Sequence, residues 1–208
     1  MNASMVRFGG IAIFVMFVLS LVGGFAAQGK PTVGMIFGLI NAGLLLFAMW
    51  TTKGYFNAKN YTRADTPIMV VMAVYALSTV FGLVTGSGGG MGALSGMGGG
   101  AAAFGIMAVI SLIILLVALV FMLIFALRCM DFGKSGGGGL WKAIGILYLV
   151  SLGLVIAGVL LMILGGVTSS FGLAGTGILI AGIGALVMLA ALICHGIGLI
   201  TGAGKMAA

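Results

Sequence analysis

The chain has 208 residues, of which 62 % are hydrophobic and only 5 % are charged. Soluble domains average about 45–50 % apolar and about 25 % charged residues, so this composition excludes a water-soluble fold. Nine Lys and Arg residues against two Asp and Glu give a net charge of +7. These few ionisable groups do not supply the side chains that most familiar active sites need.

Four long windows of the sequence contain no charged residue, and they set the number of predicted membrane spans. They cover residues 8–29, 31–52, 66–127 and 143–204, with lengths of 22, 22, 62 and 62 residues. A span needs about 20 apolar residues, and a charge at the bilayer centre costs about 2.5–3.5 kcal/mol. Each short window therefore holds one helix and each long window holds two. The predicted fold is an all-α, six-transmembrane-helix bundle made of three serial hairpins.

The predicted helices follow one another within a single transmembrane domain, residues 1–208. In chain order they cover about 8–27, 32–50, 67–85, 101–127, 140–164 and 178–201. A glycine-rich outer loop, residues 86–100, divides the first long window, and a weaker run of turn-formers at 165–177 divides the second. Pro31 and Pro67 each stand in a predicted first helical turn, where the missing N–H has no cost.

The basic residues predict the orientation of these spans. With the N-terminus in the cytoplasm, eight of the nine fall on the inner side, and only Lys30 falls outside. The positive-inside rule then places both termini in the cytoplasm and favours a prokaryotic inner membrane. The net charge is thus a topological bias and does not indicate nucleic-acid binding. Both cysteines face the reducing side, so no disulfide is predicted.

The single histidine, His195, is the strongest candidate for chemistry. It lies inside the sixth predicted helix, with Ala191 one turn earlier, and an imidazole there could ligate haem or a pigment. A hydrogen bond to a neighbouring helix or partner is the favoured interpretation. Cys129, Asp131 and Cys194 also lie toward the inner side, but the spaced ligand pairs of a metal site are absent. We predict no catalytic residue, no cofactor and no metal.

The segment Arg128–Gly136 joins the fourth and fifth predicted helices. It reads Arg-Cys-Met-Asp-Phe-Gly-Lys-Ser-Gly, which resembles a cytoplasmic loop of a family of small bacterial inner-membrane proteins of unknown function. The resemblance is confined to these nine of the 208 residues, lacks the family's Leu-His pair, and implies no activity. The residues themselves predict an ion pair between Arg128 and Asp131 at i, i+3, followed by a glycine turn.

Small residues recur at helical spacing on two predicted helices. Such stripes let helix backbones approach closely in lipid. On the second helix a polar residue, Asn41, lies beside the stripe, and we expect it to bond across to another helix. The two stripes are Gly34, Gly38 and Ala42 on the second helix, and Gly177, Ala181 and Ala185 on the sixth.

The expected function is that of a non-catalytic accessory or scaffold subunit of a larger membrane complex. Its partners are the lipid bilayer and other membrane protein subunits. One alternative is a transport protein for a small uncharged solute or a lipid, and another is a pigment- or haem-carrying subunit that uses His195. The polar residues that would line a transport path are Asn41, Tyr75, Ser78, Ser111, Tyr148 and Ser151.

Overall fold

A computed structural model describes residues 1–26, 28, 30–84 and 101–207. The predicted glycine-rich loop, 86–100, lies outside the described residues. All regular structure in the described part of the chain is helical. The helices are α1 (Ala3–Ala26), α2 (Pro31–Ala58), α3 (Asp65–Val84), α4 (Ala101–Phe132), a π-helical turn (Gly133–Gly137), α5 (Gly139–Val167) and α6 (Phe171–Ala207).

Five of these helices are long and apolar enough to cross a membrane. They are α1, α2, α4, α5 and α6, and α3 has a shorter apolar stretch, Asp65–Val80. The chain is therefore a polytopic helical membrane protein whose outer surface contacts lipid. Pro31 stands at the start of α2 and Pro67 lies in the first turn of α3, as predicted.

Several helices extend beyond the ends predicted from charge. α2 continues to Ala58, eight residues past the predicted end, because Tyr55 and Phe56 are buried there. The Thr51 and Thr52 hydroxyls donate to the Ala48 carbonyl at 2.8 Å, so these threonines fit within the helix. A charged residue such as Lys53 marks the edge of the hydrocarbon, but it does not end the hydrogen-bonded helix.

The connection between α5 and α6 is also shorter than predicted. α6 begins at Phe171, seven residues before the predicted start, so only residues 168–170 form the turn. Ser169 has a positive φ of 53°, and the Ser170 amide donates to the Gly165 carbonyl at 2.8 Å. The glycines of this segment, predicted to divide the two helices, are helical residues of α5 and α6. At Gly165 and Gly177, close packing between the two helices offsets the low helix propensity of glycine.

The connection between α4 and α5 contains two residues with backbone angles that favour glycine. Gly136 has φ 116° and Gly138 has φ 91°, a range that L side chains rarely adopt. The predicted ion pair is present, with Arg128 Nη1 3.6 Å from Asp131 Oδ2. The predicted glycine turn is therefore confirmed, although it takes the form of a π-helical turn.

The chain divides into two compact units, Met1–Met122 with Gly196–Ala208, and Leu123–His195. In the first unit, Gly10 of α1 lies so close to α6 that an added Cβ would be 2.6 Å from the Gly196 carbonyl oxygen. Gly23 of α1 similarly lies against the Phe37 ring of α2. Asn41 Nδ2 of α2 donates to Ser20 Oγ of α1 at 3.0 Å, so its expected bond to another helix is confirmed.

Candidate functional site

The second unit contains a buried cluster of aromatic rings around the single histidine. The cluster is formed by one face each of α4, α5 and α6. Its residues are spaced i, i+4 and i+7 on α4, i and i+7 on α5, and i and i+4 on α6, so those of each helix lie on the same face of that helix. We call this the histidine cluster, and its members are Phe125, Cys129, Phe132, Trp141, Tyr148, Ala191 and His195.

A hydrogen bond between α5 and α6 lies at the centre of the histidine cluster. Tyr148 Oη and His195 Nδ1 are 3.0 Å apart. The two residues are 2 % and 1 % exposed, so water does not compete with this bond. Within an apolar surrounding, a buried polar group without a partner is costly, and the Tyr148–His195 bond satisfies a polar atom on each helix.

Aromatic rings enclose the imidazole on several sides. The Trp141 ring lies 5.4 Å from the His195 ring, centroid to centroid, at 70°. The Phe125 and Tyr148 rings lie at 6.0 Å and 6.1 Å. These are distances at which aromatic pairs attract each other. The His195 ring therefore belongs to the packed core of this unit.

Glycines allow the three helices to approach closely enough to form the cluster. A Cβ added at Gly145 of α5 would be 2.5 Å from the Ala126 carbonyl oxygen of α4. Similarly, a Cβ added at Gly158 of α5 would be 2.6 Å from the Gly177 carbonyl oxygen of α6. Between these contacts, Ser151 Oγ donates to the Gly184 carbonyl of α6 at 2.8 Å. The predicted stripe on the sixth helix thus packs within the chain through Gly177 and Ala181.

The hydrogen bond that the sequence predicts for His195 is confirmed, and its partner is Tyr148. A flat macrocycle on His195 would need space beside Ala191, which is fully buried. The rings of Trp141 and Phe125 already occupy the surroundings of the imidazole, so these side chains would have to move to admit such a group. The bond between Tyr148 and His195 joins α5 to α6.

The polar residues predicted to line a transport path divide between the two units. Tyr148 and Ser151 belong to the second unit, and both bond to α6. Asn41, Tyr75 and Ser78 belong to the first unit, where the Ser78 hydroxyl donates to the Val74 carbonyl of its own helix at 2.8 Å. The side chain of Ser111 lies outside the described residues.

The cysteines and acidic residues do not form a recognisable site in the described ranges. Both Cys129 and Cys194 are free thiols. Among the residues that the structure describes, no three His, Cys, Asp or Glu side chains come together in a way that could hold a metal ion. Asp131 instead pairs with Arg128 at the end of α4.

Sequence reasoning missed the aromatic members of the histidine cluster. Trp141 is 1 % exposed and lies against Phe132 and His195. The spacing of Trp141 and Tyr148, seven residues apart, was the available signal. It places both rings on the same face of a helix.

Comparison with protein-family models, with curated proteins and with solved structures finds no match to this chain.

Proposed function

We propose that this chain is a non-catalytic accessory subunit that scaffolds a larger membrane protein complex. The observation that carries the proposal is an uncovered small-residue face on α6, which we call the open face. At Gly172, Gly175 and Gly182 an added Cβ would meet no atom of the described residues within 4 Å. Leu179 and Leu186, which lie on the same face, are 70 % and 67 % exposed.

The spacing of the open face suits contact with another helix. Its residues recur at intervals of three and four along α6, so they form one continuous stripe. Helices associate in lipid through close van der Waals contact at small residues, and glycine permits the closest approach. α6 already uses this kind of contact once, where Gly177 meets Gly158 of α5. The open face offers the same chemistry to another protein.

The remaining candidate groups support a structural role. His195 and Tyr148 bond to each other in a closed cluster, and Ser151 bonds to the backbone of α6. We further propose six spans with both termini in the cytoplasm of a prokaryotic inner membrane. The basic residues favour this orientation because only Lys30 falls on the outer side.

The proposal is tested by extracting the chain from its native membrane in mild detergent and measuring the mass of the intact assembly. We expect an assembly of defined stoichiometry that contains other subunits. Gly182→Leu on the open face should release the chain from that assembly, because the larger side chain prevents close approach. Gly153→Leu is the matched control, since Gly153 of α5 is also exposed and has no atom within 4 Å of an added Cβ.

A lone monomer or a homo-oligomer from the native membrane would contradict the accessory-subunit proposal and favour flux assays for a small solute. An absorption spectrum on the same fraction tests the cofactor alternative. Visible absorbance that disappears in His195→Ala would contradict the scaffold proposal and favour a role in carrying a haem or pigment.

A further inference from the structure

A cavity of about 310 Å³ opens beside Arg7 in the first unit. It is lined by Ala3, Ser4, Arg7, Phe8 and Ala203, so its walls come from the start of α1 and the last turns of α6. These two helices are in direct contact one turn further along, where Gly10 meets Gly196 and Ile200. The cavity is therefore held open between two helices of one unit.

Of the described residues that line this cavity, Arg7 is the charged one. Within the described ranges its guanidinium has no hydrogen-bond or ion-pair partner. A guanidinium carries five N–H donors in a planar fork that matches the oxygens of a phosphate. Arg7 therefore brings donors that suit a phosphate group to the lining of a largely apolar cavity.

The end of α1 is already capped, so the helix terminus is not what makes this site. Asn2 Oδ1 accepts the Met5 backbone N–H at 3.0 Å and the Ser4 hydroxyl at 3.0 Å. Ser4 contributes a polar rim, while Ala203 is buried and gives an apolar wall. Among the lining residues, Arg7 is the one whose side chain can attract an anion.

The remaining lining residue gives the cavity an apolar side. Phe8 is 61 % exposed and lies one position further along the apolar helix α1 than Arg7. A cation beside an exposed phenyl ring, at the end of a membrane-spanning helix, matches the boundary between lipid headgroups and acyl chains. The combination fits a ligand that has a phosphate at one end and hydrocarbon at the other.

We propose that this cavity binds the phosphate headgroup of an anionic glycerophospholipid, with its acyl chains along Phe8. Charge complementarity selects an anionic lipid, because the chain carries a net charge of +7 and none of the described residues that line the cavity is acidic. In a zwitterionic lipid the headgroup cation offsets the phosphate. Arg7 is then the residue that determines headgroup preference.

The test measures lipid binding to the purified full-length chain in detergent by native mass spectrometry. The probes are phosphatidylglycerol, phosphatidylcholine and, as a source of free phosphate, sn-glycerol 3-phosphate. We expect phosphatidylglycerol to bind more tightly than phosphatidylcholine, and Arg7→Gln to weaken its binding by about fivefold, as expected for one basic residue near a membrane surface. sn-Glycerol 3-phosphate, which has no acyl chains, should not displace it.

Arg63→Gln is the matched control. Arg63 is also exposed and also has no partner among the described residues, but it does not line the cavity. We expect a change of less than about twofold, because its contribution is long-range and screened. Arg7→Lys keeps the charge without the planar fork and should fall between Arg7→Gln and the unaltered chain.

Three results would overturn the proposal. Equal losses in Arg7→Gln and Arg63→Gln would show that only the overall charge attracts the lipid. Equal binding of the two lipids would show that the cavity has no headgroup preference. Displacement by sn-glycerol 3-phosphate would show that the cavity binds a free phosphate group and does not need the acyl chains. Unchanged circular dichroism in each variant verifies that the fold is intact, which the exposed position of both arginines leads us to expect.

Discussion

The bond between Tyr148 and His195 shows how a membrane protein uses polar side chains to join two helices. In water such a bond exchanges with solvent and contributes little, whereas here both residues are almost completely buried. Three aromatic rings hold the imidazole in the orientation that the bond requires. The residue that looks most reactive in the sequence is in fact part of the packing between α5 and α6.

Removing the phenol hydroxyl tests this role. Tyr148→Phe keeps the ring but removes the hydroxyl that bonds to His195 Nδ1, so we expect the free energy of unfolding to fall by about 1 kcal/mol. Titration with a denaturing detergent, followed by far-UV circular dichroism, measures the change. Tyr75→Phe is the control, since the side-chain hydroxyl of Tyr75 has no hydrogen-bond partner among the described residues. Equal effects of the two substitutions would contradict the structural importance of the bond.

At the level of elements, glycine positions fall into two groups that the sequence does not distinguish. Gly158 lies against the backbone of α6, whereas Gly153, on the same helix, faces open space. Helix propensity favours alanine over glycine by about 1 kcal/mol at both positions. The space around the added Cβ therefore decides whether a Gly→Ala substitution stabilises or destabilises the protein.

Gly158→Ala should separate α5 from α6, because the new Cβ would be 2.6 Å from the Ala181 nitrogen. We expect a loss of about 1–3 kcal/mol in the free energy of unfolding, as for other overpacked cores. Gly153→Ala should be neutral or stabilising by up to about 1 kcal/mol. The same detergent titration compares them, and a stabilised Gly158→Ala protein would show that this helix contact is not close.

The turn before α5 gives a second matched pair. Gly138 has φ 91° and ψ 164°, a combination open essentially to glycine alone, so Gly138→Ala should cost about 1–3 kcal/mol. Neither Gly138 nor Gly139 has an atom within 4 Å of an added Cβ, and Gly139 has no positive φ. Gly139→Ala should therefore leave stability nearly unchanged. Equal melting temperatures for the two variants would contradict this account of the turn.

For the whole molecule, the fit to the bilayer sets the main constraint. α6 has 37 residues and at 1.5 Å per residue is about 56 Å long, against a hydrocarbon core of about 30 Å. Such a helix must tilt or project into the headgroup region. Its exposed Lys205, in the last turn, fits a position beyond the hydrocarbon on the positively charged side.

The proposed orientation is tested by labelling with a membrane-impermeant maleimide. In a Cys129→Ala/Cys194→Ala background, Lys30→Cys should react in intact cells. Lys59→Cys should react only after the membrane is permeabilised, since Lys30 is the one basic residue predicted outside. Both lysines are exposed, so accessibility within the fold is matched. The reverse pattern would invert the proposed topology.

The sequence predicted the helices well because charge-free windows report where the hydrocarbon lies. It placed their ends less well because hydrogen-bonded helix continues past residues such as Lys53. It also predicted that His195 would bond to a neighbouring helix, but it identified neither Tyr148 as the partner nor Trp141 as a neighbour. In a chain that is apolar on nearly every face, hydrophobic periodicity does not separate packed rings from those in lipid.

The three-residue turn between α5 and α6 bears on how the protein is made. Because only residues 168–170 join these two long apolar helices, the helices pack as antiparallel neighbours. Their contacts, from Gly165 with Ala174 onward, begin next to the turn and close pair by pair along the chain. Low sequence separation makes such contacts fast to form. The α5–α6 hairpin is thus suited to leave the insertion machinery already paired, before later partners arrive.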